Sequence, residues 1–312
     1  MNGLRLSREY YFSVADPLLK RDFPQLYPRL AVGLAGNGSE CFGFDDEISR
    51  DHDWGVDFFI WTMHDDRAMV PSVQKWKDNL FKNYPPEYPR IRSKYGAGTG
   101  VMTRGDFYSG LIGVPETPKT LREWISAPEE NFAMAVNGAV FVDGPGEFTG
   151  TRNELLKFYP EDLRRKRIAS KCMALAQTGQ YNHSRIAKRG DHVTLRTVLS
   201  RFTEAAVALA FLLGKTYRPY YKWAYRALEG IPPPGGETAR LLLEIAETGG
   251  FDDESQDERQ RYIDELCSVF ISHIREQGLS QSDDWFMTAH AEMVQSGIKD
   301  DFLLSLPAQY DI

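Results

Sequence analysis

Only three cysteines occur in 312 residues, Cys41, Cys172 and Cys267, and their odd number and scatter supply neither a disulfide framework nor a zinc-ligand spacing. They read as reduced, buried thiols. Histidine is scarce, and His64, His183, His192, His273 and His290 stand alone, so no histidine metal site is indicated. Long apolar runs are missing: stretches such as 205–213 fall far short of the roughly 20 residues a membrane-spanning helix requires. No basic-then-apolar leader opens the chain, and a soluble cytoplasmic protein is expected. A basic excess is absent as well. The net charge of −7 repels polyanions, which argues against non-specific binding to nucleic acid or membrane.

Apolar residues make up 42% of the chain and aromatic residues 12%, enough for the packed cores of two domains. Strand-like and helix-like segments alternate over residues 1–150, which predicts an α/β (α+β) domain with a small mixed sheet. Strands are expected at 30–35, 54–61, 89–95, 100–105 and 139–142. Helices are expected at 7–20, with Pro17 kinking or splitting it, and at 70–83, 106–113 and 118–126. Residues 151–312 carry amphipathic helical patterns and no convincing strand, which predicts an all-α bundle with the apolar 193–214 helix at its centre. Further helices are expected at 161–175, 220–229, 237–247, 259–277 and 282–297, with the acid-rich stretch 249–258 as an exposed loop.

The chemistry concentrates between Gly36 and Trp61. The apolar run 30–35 ends in a turn holding Gly36, Gly38 and Ser39, whose backbone N–H groups can approach an anion. Asp51 and Asp53 follow and, on a strand, would share one face, while His52 points away as a structural residue. Asp45, Asp46, Glu47, Asp51, Asp53 and Asp57 place six acids within thirteen residues, a density that repels itself unless a cation or solvent relieves it. The EF-hand spacing is absent. Two carboxylates beside a glycine-serine turn suit a nucleotide-bound Mg²⁺ or Mn²⁺, since Mg²⁺ takes one or two carboxylates together with phosphate oxygens and water.

Gly38-Ser39 followed by Asp51-x-Asp53 resembles the signature of the polymerase-beta-type nucleotidyltransferase superfamily. The longer string GSECFGFDDEISRDHDWG is similar to a bacterial subgroup of nucleotidyltransferase-like proteins related to the aminoglycoside nucleotidyltransferases, and the similarity extends through NGAVFVDGPGEFT and YRPYYKW. The resemblance implies a catalytic domain over 1–150 and a helical cleft domain over 151–312. It implies that Gly38 and Ser39 hold ATP or another nucleoside triphosphate, and that Asp51 and Asp53 bind the metal. Transfer of a nucleoside monophosphate, AMP foremost, to an acceptor hydroxyl would follow. The acidic balance of the chain favours a small acceptor such as an antibiotic. Modification of a protein or a transfer RNA, or nucleotide binding without turnover, are the alternatives.

Relatives in that superfamily often bring a third carboxylate from a neighbouring strand. Asp106 is the candidate here, with an N-cap role as its other reading. Where the aminoglycoside-modifying relatives carry a basic Glu on the helical domain, the stretch 163–190 has eight Lys or Arg and no acid, so a base would come from elsewhere, for example Asp191 or Glu204. That basic stretch reads either as a partner for a triphosphate or as a solvated helix face. Tyr221 and Lys222, within Tyr220-Tyr221-Lys222-Trp223, could stack on a base and meet a phosphate, or pack at a domain junction.

Overall fold

The computed structural model describes residues 2–90 and 99–312 and divides the chain into two compact units, Met1–Lys157 and Phe158–Ile312. The first is an α+β unit. Its sheet contains β1 (Leu30–Leu34), β2 (Phe59–Thr62), β3 (Val101–Thr103) and β4 (Ala139–Asp143), in the order β3-β2-β1-β4. β1 is antiparallel to both neighbours, whereas β2 and β3 run parallel. The strand expected at 89–95 lies largely outside the described residues.

Period-two alternation along the β2 segment explains why it reads as apolar throughout. Phe58 and Ile60 join Tyr11, Leu19, Val32 and Val73 in one core. Phe59 and Trp61 face the other way, where Trp61 stacks on Phe148 at 3.9 Å and meets Phe107 edge-on at 5.2 Å. Helices cover both faces. Val70–Asn83 and the N-terminal helices pack on one side, and Arg104–Ile112 and Glu147–Leu155 on the other.

The N-terminal helix is split as Pro17 requires. Gly3–Tyr10 and Asp16–Asp22 are joined by a π-helical stretch, Tyr11–Ala15, which accommodates a ring that would otherwise crowd the carbonyl four residues back. Helices at Glu129–Val136 and Glu147–Leu155 were not legible as periodic stretches.

The second unit contains helices and no strand. His192–Leu213 is its buried centre, with residues 205–213 apolar on every side. Glu161–Leu175 continues into a π-helical segment, Ala176–His183, where Gly179 permits close approach: a Cβ there would lie 2.5 Å from the Phe202 ring and 2.8 Å from Ile263. The expected exposed loop at 249–258 holds for 249–252 and gives way to helix from Asp253. Asp252 accepts a hydrogen bond from the Ser255 N–H at 3.0 Å and caps a helix, Asp253–Glu276, whose first-turn acids Asp253 and Glu254 suit its positive end.

Candidate functional site

β1 delivers the chain into a turn with positive φ at Gly36 (97°) and Gly38 (126°), and Ser39 opens the short helix Ser39–Phe42. The turn is held from behind by Asn137, whose side-chain amide imitates a strand partner. It accepts from the Gly36 N–H at 2.7 Å and donates to the Gly36 carbonyl at 2.8 Å. Gly138 follows with φ 64°, and a Cβ on it would fall 2.0 Å from the Leu34 carbonyl oxygen. Its N–H donates to the Cys41 carbonyl at 2.8 Å, so Asn137 and Gly138 brace both sides of the Gly38-Ser39 step.

A second brace was not legible in the sequence. Glu40 is fully buried and pairs with Arg90 at 2.6 Å, and the same guanidinium donates to the Asp53 carbonyl at 2.7 Å. Arg90 thus ties the glycine-serine turn to the acidic segment. A Cβ at Gly38 would sit 3.0 Å from Glu40 Oε2 and 3.3 Å from the Arg90 guanidinium, which leaves little room for any other residue there. Burial raises the Glu40 carboxyl, and Arg90 opposes that shift. The fifty-residue separation of the pair leaves no local pattern to read.

The crowd of acids resolves by assignment to separate partners. Asp45 accepts from the Gly3 N–H at 2.7 Å and from the Trp54 indole at 2.9 Å, anchoring the loop to the start of the first helix. Asp46 exchanges hydrogen bonds with Ser49 at 2.8 and 2.9 Å. Asp57 is buried against Lys77 at 2.7 Å and also accepts from the Thr99 hydroxyl and the Phe58 N–H. Burial pushes its carboxyl up, but Lys77 and these donors hold it below the usual carboxylate range.

Asp51 and Asp53 do not lie on a strand. They occupy a bend ahead of β2, and Asp53 adopts φ 53°, so the alternation argument for a shared face fails. The chain must turn here because Gly55 and Val56 come up against the 88–90 segment, where the Val56 N–H bonds the Tyr88 carbonyl at 2.8 Å. Asp51 is exposed. Its carboxyl is held below the usual range by His52, whose Nδ1 lies 2.8 Å away, so His52 is a neighbour of the carboxylate rather than a residue of the opposite face. Asp53 is half-buried.

Asp106 is the third residue of the helix Arg104–Ile112, whose N-cap is Thr103, and it accepts from Arg67 at 2.6 Å. Its carboxylate is therefore engaged by a cation from a distant segment. Asp143 caps the next helix by accepting from the Gly146 and Thr149 N–H groups at 3.0 and 2.7 Å. Among the described residues, no group of three or more His, Cys, Asp or Glu is placed to hold a metal ion. Two aspartates with hard oxygen donors still fit a Mg²⁺ that arrives with a nucleotide, because phosphate and water complete its shell.

In the second unit, Tyr221 and Lys222 start the helix Tyr221–Ala227. Tyr221 is 77% exposed with its ring 4.3 Å from that of Tyr220, and Lys222 lies over Trp223 at 5.1 Å. The basic stretch is mostly used internally. Arg164 pairs with Glu161 at 2.9 Å and donates to the Leu212 carbonyl, buried Lys166 donates to the Pro307 carbonyl, and Arg167 donates to the Ile312 carbonyl. Asp191 caps the 192–213 helix through the Thr194 N–H at 3.0 Å, and Glu204 sits on its exposed side.

Residues 124–224 match a family described as a domain of unknown function, DUF4037. The matched stretch takes in the Asn137-Gly138 brace, β4 and Tyr217 to Trp223, and it stops short of the glycine-serine turn and the Asp pair. No curated protein and no solved structure matches the chain. No helix among the described residues is long and apolar enough to cross a membrane.

Proposed function

We propose that the protein is a metal-dependent nucleotidyltransferase that moves a nucleoside monophosphate, AMP foremost, from a triphosphate to a hydroxyl on a small acceptor. The observation that carries this reading is the Arg90 clamp. It bonds the carboxylate that follows Gly38-Ser39 and the backbone of Asp53, so the turn suited to phosphates and the acidic segment suited to a metal are held together. Asp51 and Asp53 would hold Mg²⁺, which neutralises charge on the triphosphate as it reacts. Gly38 and Ser39 would take the outgoing phosphates through backbone N–H and hydroxyl. In-line attack by the acceptor oxygen on the α-phosphorus would expel pyrophosphate, with positioning and charge neutralisation as the protein's main contributions. Asp106 as a third carboxylate, and Tyr221 with Lys222 as nucleotide contacts, gain no support from their bonded neighbours.

Calorimetric titration with ATP and GTP, with and without Mg²⁺, tests the assignment. Metal-dependent binding that disappears in the Asp51→Asn, Asp53→Asn double variant supports it, and equal binding by the variant removes it. A second reading, nucleotide binding without turnover, is favoured by the engagement of Asp106 with Arg67. It predicts triphosphate binding with no pyrophosphate release in the presence of any acceptor. Arg164, Lys166 and Arg167 are buried in the second unit, so modification of RNA would rest on the other cations of the basic stretch, of which Arg185, Lys188 and Arg189 are exposed.

A further inference from the structure

The second unit holds a cleft of about 840 Å³ that the nucleotidyl-transfer reading does not use. Its size falls within the roughly 300–1,000 Å³ of small-molecule sites. Met173, Ala174 and Phe286 supply apolar wall, and the π-helical segment Ala176–His183 contributes Gln177 and Tyr181. π-Helical turns recur at functional sites because they displace side chains from the regular helical positions. Here the close fit of Gly179 against Phe202 and Ile263 is available only to a glycine, so the distorted segment is built into the packing. Tyr181 is half-exposed, with the Arg185 guanidinium 4.4 Å from its ring centre.

The charged lining is asymmetric. Lys171 and Arg201 both open onto the cleft, against a single acid, Asp311. The Lys171 side chain is 19% exposed and ion-paired to the Asp311 carboxylate, which is 53% exposed. A largely covered lysine side chain is therefore matched by an acid that water can reach, in an ion pair that is itself open to solvent, so an incoming anion can take the acid's place.

We propose that this cleft binds a small aromatic anion, its ring against Tyr181 and Phe286 and its carboxylate or phosphate on Lys171 and Arg201 in place of Asp311. Asp311 then acts as an internal competitor for the same cation. The site is independent of the turn at 36–39 and of Asp51 and Asp53, since every lining residue belongs to the second unit.

Titration of the full chain, followed by protein-observed NMR, would use phenyl phosphate, phenylacetate, inorganic phosphate and benzylamine as probes. Saturable binding of at least one aromatic anion is expected, with the stronger of the two identifying the acid group. Lys171→Met should weaken it about tenfold or more, and Asp311→Asn should strengthen it, since one loses the cation and the other the competitor. Arg201→Gln, at an exposed position, provides a second loss of charge that leaves the fold intact. The proposal is overturned if benzylamine binds as well as the anions, or if inorganic phosphate alone matches phenyl phosphate. It is equally overturned if neither anion binds the Asp311→Asn protein, or if both Lys171→Met and Arg201→Gln bind like the unaltered chain.

Discussion

Arg90 and Glu40 form a pair in which each member is buried and charged, at 6% and 0% side-chain exposure. Removing one member strands the other away from water. Arg90→Met should therefore destabilise the protein by about 3–5 kcal/mol. The loss has a pH signature. Burial already raises the Glu40 carboxyl in the folded state, so its ionisation opposes folding as pH rises through that raised value. Without Arg90 the value rises further, and stability should be regained as pH is lowered and Glu40 takes up a proton. Chemical denaturation at several pH values checks this, and a variant equally unstable at all of them would refute it.

Asp57 has the opposite sign. Its folded carboxyl lies below the usual range, so its contribution is complete above the unfolded value, near 3.9, and is lost as pH falls through the folded one. Asp57→Asn strands Lys77, at 2% side-chain exposure, and should cost about 3–5 kcal/mol at neutral pH while flattening the acid limb of the stability curve. In contrast, Asp51→Asn touches an exposed side chain whose ion-pair partner among the described residues is the adjacent His52, so stability should hold while any nucleotidyl-transfer rate falls roughly a hundredfold or more. The residue types of the motif were legible from spacing. The pairing of the structural acids was not, because the partners Gly3, Trp54, Lys77 and Arg90 come from four different segments.

At the scale of elements, the Asn137-Gly138 brace links β4 to the turn after β1. Gly138→Ala would drive a methyl group into the Leu34 carbonyl at a backbone conformation that side chains disfavour. Local strain of about 1–3 kcal/mol is the least expected cost, and loss of nucleotide binding should accompany it if the turn holds phosphates. Thermal unfolding and calorimetry on the same variant separate the two effects. Periodicity identified β1, the helices Val70–Asn83 and Glu161–Leu175, and the buried helix His192–Leu213, since each presents a long face or a wholly apolar run. It missed the π-helical segments, whose hydrogen-bond register is set by the packing around them. It also placed Asp51 and Asp53 on a strand, because a β-rich composition over 54–61 does not reveal where the bend ends.

On the scale of the molecule, binding of ATP with Mg²⁺ to the folded chain alone should raise its stability by about 2.7 kcal/mol at a hundred times the dissociation constant. The shift should vanish in the Asp51→Asn, Asp53→Asn variant. An increase with nucleotide alone, unaffected by metal, would count against the proposed site. Division of the chain at Lys157 and Phe158 gives each unit its own core, the first around a mixed sheet and the second around one apolar helix.

By itself the sequence determined the α+β and all-α character of the two halves and the residue types of the glycine-serine and Asp-x-Asp segments, since local patterns carry that information. Tertiary structure alone decided which acids are structural, that Arg90 joins the two segments, and that the basic helix is largely consumed within its own unit. Each of these depends on contacts between residues far apart in the chain, where burial and charge pairing act without any local sequence pattern.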